Sequence, residues 1–147
     1  MIRFIQKSFD DLSKEELYAI LKLRMEIFIL EQHSFYLDLD DQDQYAIHIF
    51  GVEENPVEPI CYGRITTKKA TAYIRRVCVC KDYREKGIGV LLMNQLLSRI
   101  DSLAVDSIEL DAQIYLQNFY SKFGFCTIGQ PYDDGGIMHI MMKKITK

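Results

Sequence analysis

The chain is 147 residues long, close to the commonest size of a single domain, so one domain spanning residues 1–147 and no second core is expected. With 48% hydrophobic and 27% charged residues it is composed like an ordinary soluble globular protein, which excludes a disordered or fibrous polymer. A net charge of −3 argues against nucleic acid as the main partner, because phosphate-backbone binding rests on an excess of Lys and Arg, and it leaves open only a local anion site.

The opening Met1-Ile2-Arg3-Phe4-Ile5-Gln6 turns polar too soon for a signal peptide. No uncharged apolar run approaches the roughly 18 residues of a membrane helix. A cytoplasmic protein with no membrane partner is expected. Residues 2–9 alternate loosely as a first strand. Ser13-Lys14-Glu15-Glu16 then fits a capping box with Ser13 as N-cap, and Leu12 and Leu17 stand at the staple positions. Leu17, Ile20, Leu21, Arg24, Ile27 and Phe28 recur at helical spacing, an apolar face broken only by Arg24. A guanidinium there either finds a carboxylate or phosphate partner or snorkels to solvent.

Asp38, Asp40, Asp41 and Asp43 form an acidic loop. A calcium loop is excluded, since Asp43 holds the sixth position, where glycine is required, and Ile49 the twelfth, where glutamate is. The loop is expected to be solvated, with attraction of a cationic substrate as the alternative. Strands follow at 46–52 and 60–66, joined through a turn region at 53–59 that contains Asn55-Pro56, and a third at 71–79. An apolar helix covers 88–100, a short strand 108–112, and a short helix 115–123 ends at Gly124. Strands at 125–128 and 137–142 close the chain. Cys61, Cys78, Cys80 and Cys126 contain no C-x-x-C and lie among apolar residues, so buried, reduced thiols and no metal are expected.

The most informative stretch is Val77-Cys78-Val79-Cys80-Lys81-Asp82-Tyr83-Arg84-Glu85-Lys86-Gly87-Ile88-Gly89. A buried strand runs into a basic loop with two glycines, and the loop opens a helix. Glycines let the backbone turn its N–H groups toward one point, and the helix start adds unsatisfied donors and partial positive charge. Such a place suits a phosphate or diphosphate, although close packing alone also explains two glycines. A P-loop is excluded because Val90 and Leu91 follow Gly89. A dinucleotide fingerprint lacks its third glycine, at Leu92, and the chain offers one β-α-β unit rather than two, even though Glu109 and Asp111 lie where a ribose-binding acid belongs.

Arg84-x-x-Gly87-x-Gly89 after the Val77-x-Val79 strand resembles motif A of the GCN5-related N-acetyltransferase (GNAT) superfamily, which binds the diphosphate of acetyl-CoA. Phe119-Tyr120-Ser121-Lys122-Phe123-Gly124-Phe125 resembles that family's second signature, at the expected separation. Leu23-Arg24, Phe28-x-x-Glu31-Gln32, Tyr36-x-Asp38-x-Asp40, Ala46-x-His48, Gly63-Arg64 and Gly136-Ile137-x-His139-Ile140 extend the likeness over the whole chain, toward the ElaA-like branch.

The resemblance implies an α+β fold with a central twisted, mostly antiparallel sheet and one parallel β-α-β unit splayed to hold acetyl-CoA. It implies an N-acetyltransferase acting on a small-molecule or peptide amine by direct attack in a ternary complex. A monomer or a homodimer is expected, since the apolar final strand at 137–142 could pair across a dimer. Val77, Cys78 and Val79 would pair with the cofactor's pantetheine, a main-chain N–H near Cys78 or Val79 would hold the thioester oxygen, and Arg84, Glu85, Lys86, Gly87, Ile88 and Gly89 would surround the diphosphate. Tyr120 would be the general acid that protonates the leaving thiolate, its phenol being a proton donor at neutral pH; spacing alone favours a core aromatic beside Leu116, Phe119 and Phe123, and the resemblance reverses that preference. Gln113 stands where many relatives have an Asn that touches the cofactor, and is a candidate contact; Asn118 is offset and is expected to face solvent. Glu31, His48 and His139 are the candidate bases. The alternative is a non-catalytic acyl-CoA-binding or interaction module of the same fold.

Overall fold

The computed structural model describes residues 1–55 and 58–146, so the Asn55-Pro56 turn lies partly outside the described residues. Among them, seven strands form one sheet: β1 (Arg3–Ser8), β2 (Ile47–Val52), β3 (Cys61–Lys68), β4 (Thr71–Val79), β5 (Ser107–Gln113), β6 (Cys126–Asp134) and β7 (Ile137–Ile145). Their spatial order is β1-β2-β3-β4-β5-β7-β6. Every neighbouring pair is antiparallel except β4 and β5, whose parallel crossover is made by the helix between them, as a parallel pair requires. The final hairpin is longer than expected: β6 runs on to Asp134 as a fully exposed edge, its register shifting between Ile128 and Tyr132. Cys126 on that edge is exposed, against the expectation of burial, while Cys61 and Cys78 are buried.

Successive strand residues serve opposite faces of the sheet. Ile49, Cys61 and Ile74 turn toward α2 (Ile88–Asp101) and pack with its Leu92, Met93, Leu96 and Ile100. Phe50, Tyr62 and Cys78 turn the other way, against Ile20 and Leu23 of α1 (Lys14–Arg24). Helix α2 lies close on β3 because residue 63 is glycine: a Cβ there would come within 2.9 Å of Leu96 Cδ1. The predicted capping box is present, with Glu16 N donating to Ser13 Oγ at 3.0 Å and Ser13 N to Glu16 Oε1 at 2.8 Å.

Two elements depart from regular geometry. The helix begun at Ser13 does not stay α-helical to Phe28 but widens into a π-helical turn over Met25–Glu31, where Gln32 N reaches back to Ile27 O. In β4, Arg64 pairs with Arg75 and Tyr62 with Cys78, so Arg76 and Val77 together oppose Gly63. This is a bulge, and Arg76 takes a left-handed φ of +58°.

Of the four acids in the loop, Asp41 is exposed as expected, but Asp38, Asp40 and Asp43 are bound to arginines and are neither solvated nor open to a cationic substrate. Asp38 bridges Arg24 Nε at 2.9 Å and Arg76 Nε at 2.8 Å. Asp40 accepts from Arg76 Nη2 at 3.3 Å and from both terminal nitrogens of Arg64. Asp43 Oδ1 accepts from Arg24 Nη1 and Arg64 Nη1, each at 2.8 Å. The six side chains close a ring of alternating charge that ties α1, the loop, β3 and the β4 bulge together. Arg24, which on its apolar face needed either a partner or an exit to solvent, has the partner, and is fully buried. Burial raises the Asp43 carboxyl, but the hydrogen bonds and charges of Arg24 and Arg64 outweigh it and hold the group below the usual carboxylate range.

Candidate active site

Strands β4 and β5 pair only over Thr71–Tyr73 with Ser107–Glu109. Beyond those rungs they part, and a cavity of about 590 Å³ opens between them. Val77, Cys78 and Val79 of β4, Arg84, Glu85, Gly87, Ile88 and Gly89 of the following loop, Gln113 at the end of β5, and Tyr120 all line it. Residues far apart in the chain are thus gathered on one cleft by a single divergence of two strands. Lys86 is the exception: it stands over the Tyr83 ring at 5.6 Å and is not among the lining residues.

The loop leaves β4 through a 3-10 turn at Lys81–Tyr83. Glu85 and Gly87 are both left-handed, with φ of +62° and +78°, and Gly87 is the N-cap of α2. A Cβ at Gly87 would meet nothing within 4 Å, so the glycine is required by its backbone angle and not by a tight contact. The start of α2, with its unpartnered N–H groups, therefore faces an open cleft. Arg84, which lines the cleft, is also bonded within the protein. Its Nε donates to Val79 O at 3.0 Å and its guanidinium forks onto Glu31, with Nη2 2.7 Å from Oε1. Its charge is already matched, and it moors the loop to the end of β4 and to the π-helical turn.

The helix predicted at 115–123 is a 3-10 turn, Ile114–Leu116, followed by α3 (Gln117–Ser121). It sets Tyr120 at 6% exposure, edge-on to Phe119 and Phe125, while Asn118 faces solvent as expected. Burial pushes the Tyr120 phenol upward, so it remains protonated throughout the neutral range. Burial likewise raises the Cys78 thiol and leaves little thiolate there. Gln113 Nε2 donates to Gln32 Oε1 at 2.9 Å, joining the end of β5 to the chain beyond the π-helical turn.

The three candidate bases separate. Glu31 is held below the ordinary carboxylate range chiefly by its hydrogen bond from Arg84, and it lies outside the cavity lining. His48 is fully buried, bonded through Nδ1 to Tyr62 Oη at 2.6 Å and through Nε2 to Asp43 O at 2.9 Å; it is a structural residue of the core. His139 alone of the three lines the cleft, with Nδ1 2.7 Å from Ile137 O. The same end of the cleft gathers Gln32, Tyr36, Arg75, Arg76, Asp111 and Asp134, none of which the sequence marked as a site residue. One signal was present for Tyr36: Ser34, Tyr36, Asp38 and Asp40 alternate inward while Phe35, Leu37 and Leu39 are exposed.

Among the described residues no three His, Cys, Asp or Glu side chains converge as a metal site requires, and no helix is long and apolar enough to cross a membrane.

A mixed sheet parted beside a helix-initiating loop is the acyl-CoA N-acyltransferase fold. The chain superimposes on the crystal structure of an acyl-CoA N-acyltransferase from Pseudomonas aeruginosa with a TM-score of 0.91 and 29% identity, over 98% of this chain and 99% of that one. It matches the crystal structure of Escherichia coli ElaA with a TM-score of 0.90 and 33% identity, over 98% and 99% of the two chains. By sequence it is 33% identical to a UPF0039 protein of Synechocystis, across 96% of this chain and 94% of that protein. The model of the acetyltransferase (GNAT) domain matches residues 9–146. The chain belongs to the GNAT acetyltransferase family, in its ElaA-like branch, and the chemistry of its class is acyl transfer.

Proposed function

We propose that this protein is an N-acetyltransferase that moves the acetyl group of acetyl-CoA to a primary amine within a ternary complex. One observation carries the reading: the open, glycine-capped start of α2 and the protonated Tyr120 lie on the same cleft, between strands that have parted. A cavity of about 590 Å³ falls in the range of roughly 300–1,000 Å³ usual for small-molecule sites, which fits a long cofactor laid through it. Its donor set fits as well, since helix-start amides suit a diphosphate.

Acetyl-CoA supplies an electrophilic thioester carbon. The edge of β4 over Val77, Cys78 and Val79, no longer paired to β5, offers backbone groups to an extended ligand. A main-chain N–H near Cys78 or Val79 serves the oxygen as the carbonyl pair moves onto it and the amine nitrogen bonds to carbon. As that pair returns, the carbon–sulfur bond breaks; Tyr120 gives its proton to the sulfur and regains one from solvent, while the nitrogen sheds its surplus proton to solvent to leave the neutral amide. Gly87, Ile88 and Gly89 hold the diphosphate, with Glu85 beside them. Arg84 keeps the loop in place and Gln113 borders the cofactor's path. Lys86, turned onto Tyr83, contributes to the field at the loop's surface without lining the cleft.

The test is release of free CoA from acetyl-CoA, followed with a thiol reagent, with spermidine, lysine, glucosamine and a peptide bearing a free α-amine as acceptors. Turnover with at least one of them, together with the mass of the acetylated amine, is the expected result. Calorimetric binding of acetyl-CoA with no turnover on any of the four would favour the binding module instead.

A further inference from the structure

We infer that His139 is the general base that deprotonates the acceptor amine, a role that rests on the acetyl-transfer reading above. A primary alkyl amine is an ammonium ion at pH 7, its pKa being about 10, and has no lone pair to attack with until a proton is removed. The sequence offered three groups for that task, and the structure leaves one at the cleft. Glu31 is engaged with Arg84, and both ring nitrogens of His48 are occupied inside the core.

The His139 ring is held by contacts that settle which nitrogen is free. Ile137 O can only accept, so the 2.7 Å contact requires the hydrogen on Nδ1. In the neutral ring the lone pair is then on Nε2. The ring is also stacked on Tyr132, with centroids 6.0 Å apart and planes at 27°. Tyr132 is fixed in turn: its hydroxyl donates to Asp111 Oδ1 at 2.6 Å, and burial together with that bond pushes its phenol upward, so it stays a donor. Residues 113, 139 and 132 are cross-strand partners on β5, β7 and β6, which places the ring beside the end of β5, from which the chain leads on to Tyr120. Among the described residues Nε2 has no hydrogen-bond partner, and this half-buried ring lines the cleft.

The charged and titratable groups at this end include Tyr36 from the loop, Arg75 and Arg76 from β4, Asp111 from β5, Tyr115 from the 3-10 turn that follows it, and Tyr132 and Asp134 from β6. Arg76 is spent on Asp38 and Asp40, and Arg75 lies 3.7 Å from Asp111. Asp134 forms no ion pair among the described residues, so an arriving ammonium meets an uncompensated carboxylate beside the base. In the step itself, the Nε2 lone pair takes one proton from the ammonium, the electron pair of the broken N–H bond becomes the amine lone pair, and the imidazolium later returns its proton to solvent.

The test pairs His139→Gln with the wild type in the CoA-release assay across pH 6–10, using whichever of the four amines is acetylated best. Expected is a loss of about 10²-fold in kcat/KM at pH 7, narrowing as the pH approaches the amine's own pKa, with calorimetric affinity for acetyl-CoA unchanged. A variant with wild-type kcat/KM and pH profile overturns the base while leaving the transferase standing. A wild type that binds acetyl-CoA but acetylates none of the four overturns both. Independently of any acceptor, nitrogen-15 NMR of the His139 ring should show the hydrogen on Nδ1 in the neutral form, and a neutral ring carrying it on Nε2 refutes the assignment.

Discussion

Replacing Asp43 with Ala tests how the buried charges are held. Asp43 Oδ1 is the common acceptor of Arg24 Nη1 and Arg64 Nη1, both at 2.8 Å, and the two guanidinium side chains are 0% and 1% exposed. Removing the carboxylate leaves three guanidinium groups facing two carboxylates, with two buried N–H donors unpartnered. Arg64 Nε is already a buried nitrogen without a hydrogen-bond partner, so the cluster has no slack to absorb more. Breaking a buried pair in this way costs about 3–5 kcal/mol. Against a total stability of about 5–15 kcal/mol for a single domain, that is a large share. At roughly 2–4 °C per kcal/mol for a chain of this size, the melting temperature should fall by about 6–20 °C. Urea unfolding followed by circular dichroism and by tyrosine fluorescence, with coincident transitions, gives the number directly. The outer pair Lys7–Glu16, at 35% and 11% exposure, is the control, and Lys7→Ala should cost less than about 1 kcal/mol. An Asp43→Ala loss as small as that of Lys7→Ala would refute the reasoning, and would mean the two arginines find water once the carboxylate is gone.

The same ring sets the acid behaviour. Asp40 and Asp43 are raised by burial but lowered more by their arginines, so each sits below its unfolded value; their contribution is present above about pH 4 and lost as pH falls through the folded values, and urea stability should be level above about pH 5 and decline below about 4, less steeply in Asp43→Ala. Tyr120→Phe should lower kcat by about 10²-fold with acetyl-CoA affinity unchanged; full activity in the Phe variant would remove the general acid. Gly87→Glu puts a side chain at φ +78° and a negative charge at the open start of α2, so calorimetric binding of CoA should be lost while the variant still melts cooperatively, and unchanged affinity would remove the diphosphate assignment.

What was legible in the sequence was local. The capping box, the strand at 71–79 and the glycine loop opening α2 each depend on residues within a few positions of one another, and each stands as read. Tyr120 was legible only through its family signature, since by spacing it was one aromatic among several. The charge ring was half visible: Arg24 was conspicuous on an apolar face, and the acids were conspicuous as a run, but Asp38, Asp40 and Asp43 find Arg24, Arg64 and Arg76 across 14 to 38 positions. Only the packing of α1 over the sheet makes those distances short. The pairing of Arg84 was hidden for the same reason, its carboxylate partner lying 53 positions away. His48 and His139 are alike as sequence, each an isolated imidazole on an alternating strand. Strand order separates them: each lies one strand in from an edge, but β7 adjoins β5 at the opening, whereas β3 stands between β2 and β4.

The three rungs between β4 and β5 leave the molecule as two plates on a narrow seam, bridged from behind by α2. A ligand threaded between the plates would supply the lateral bonds that the sheet omits, so occupancy and folding would be thermodynamically linked. Amide exchange should then be fastest along the vacant lips of the seam, and slow there, more than anywhere in the core, once it is filled.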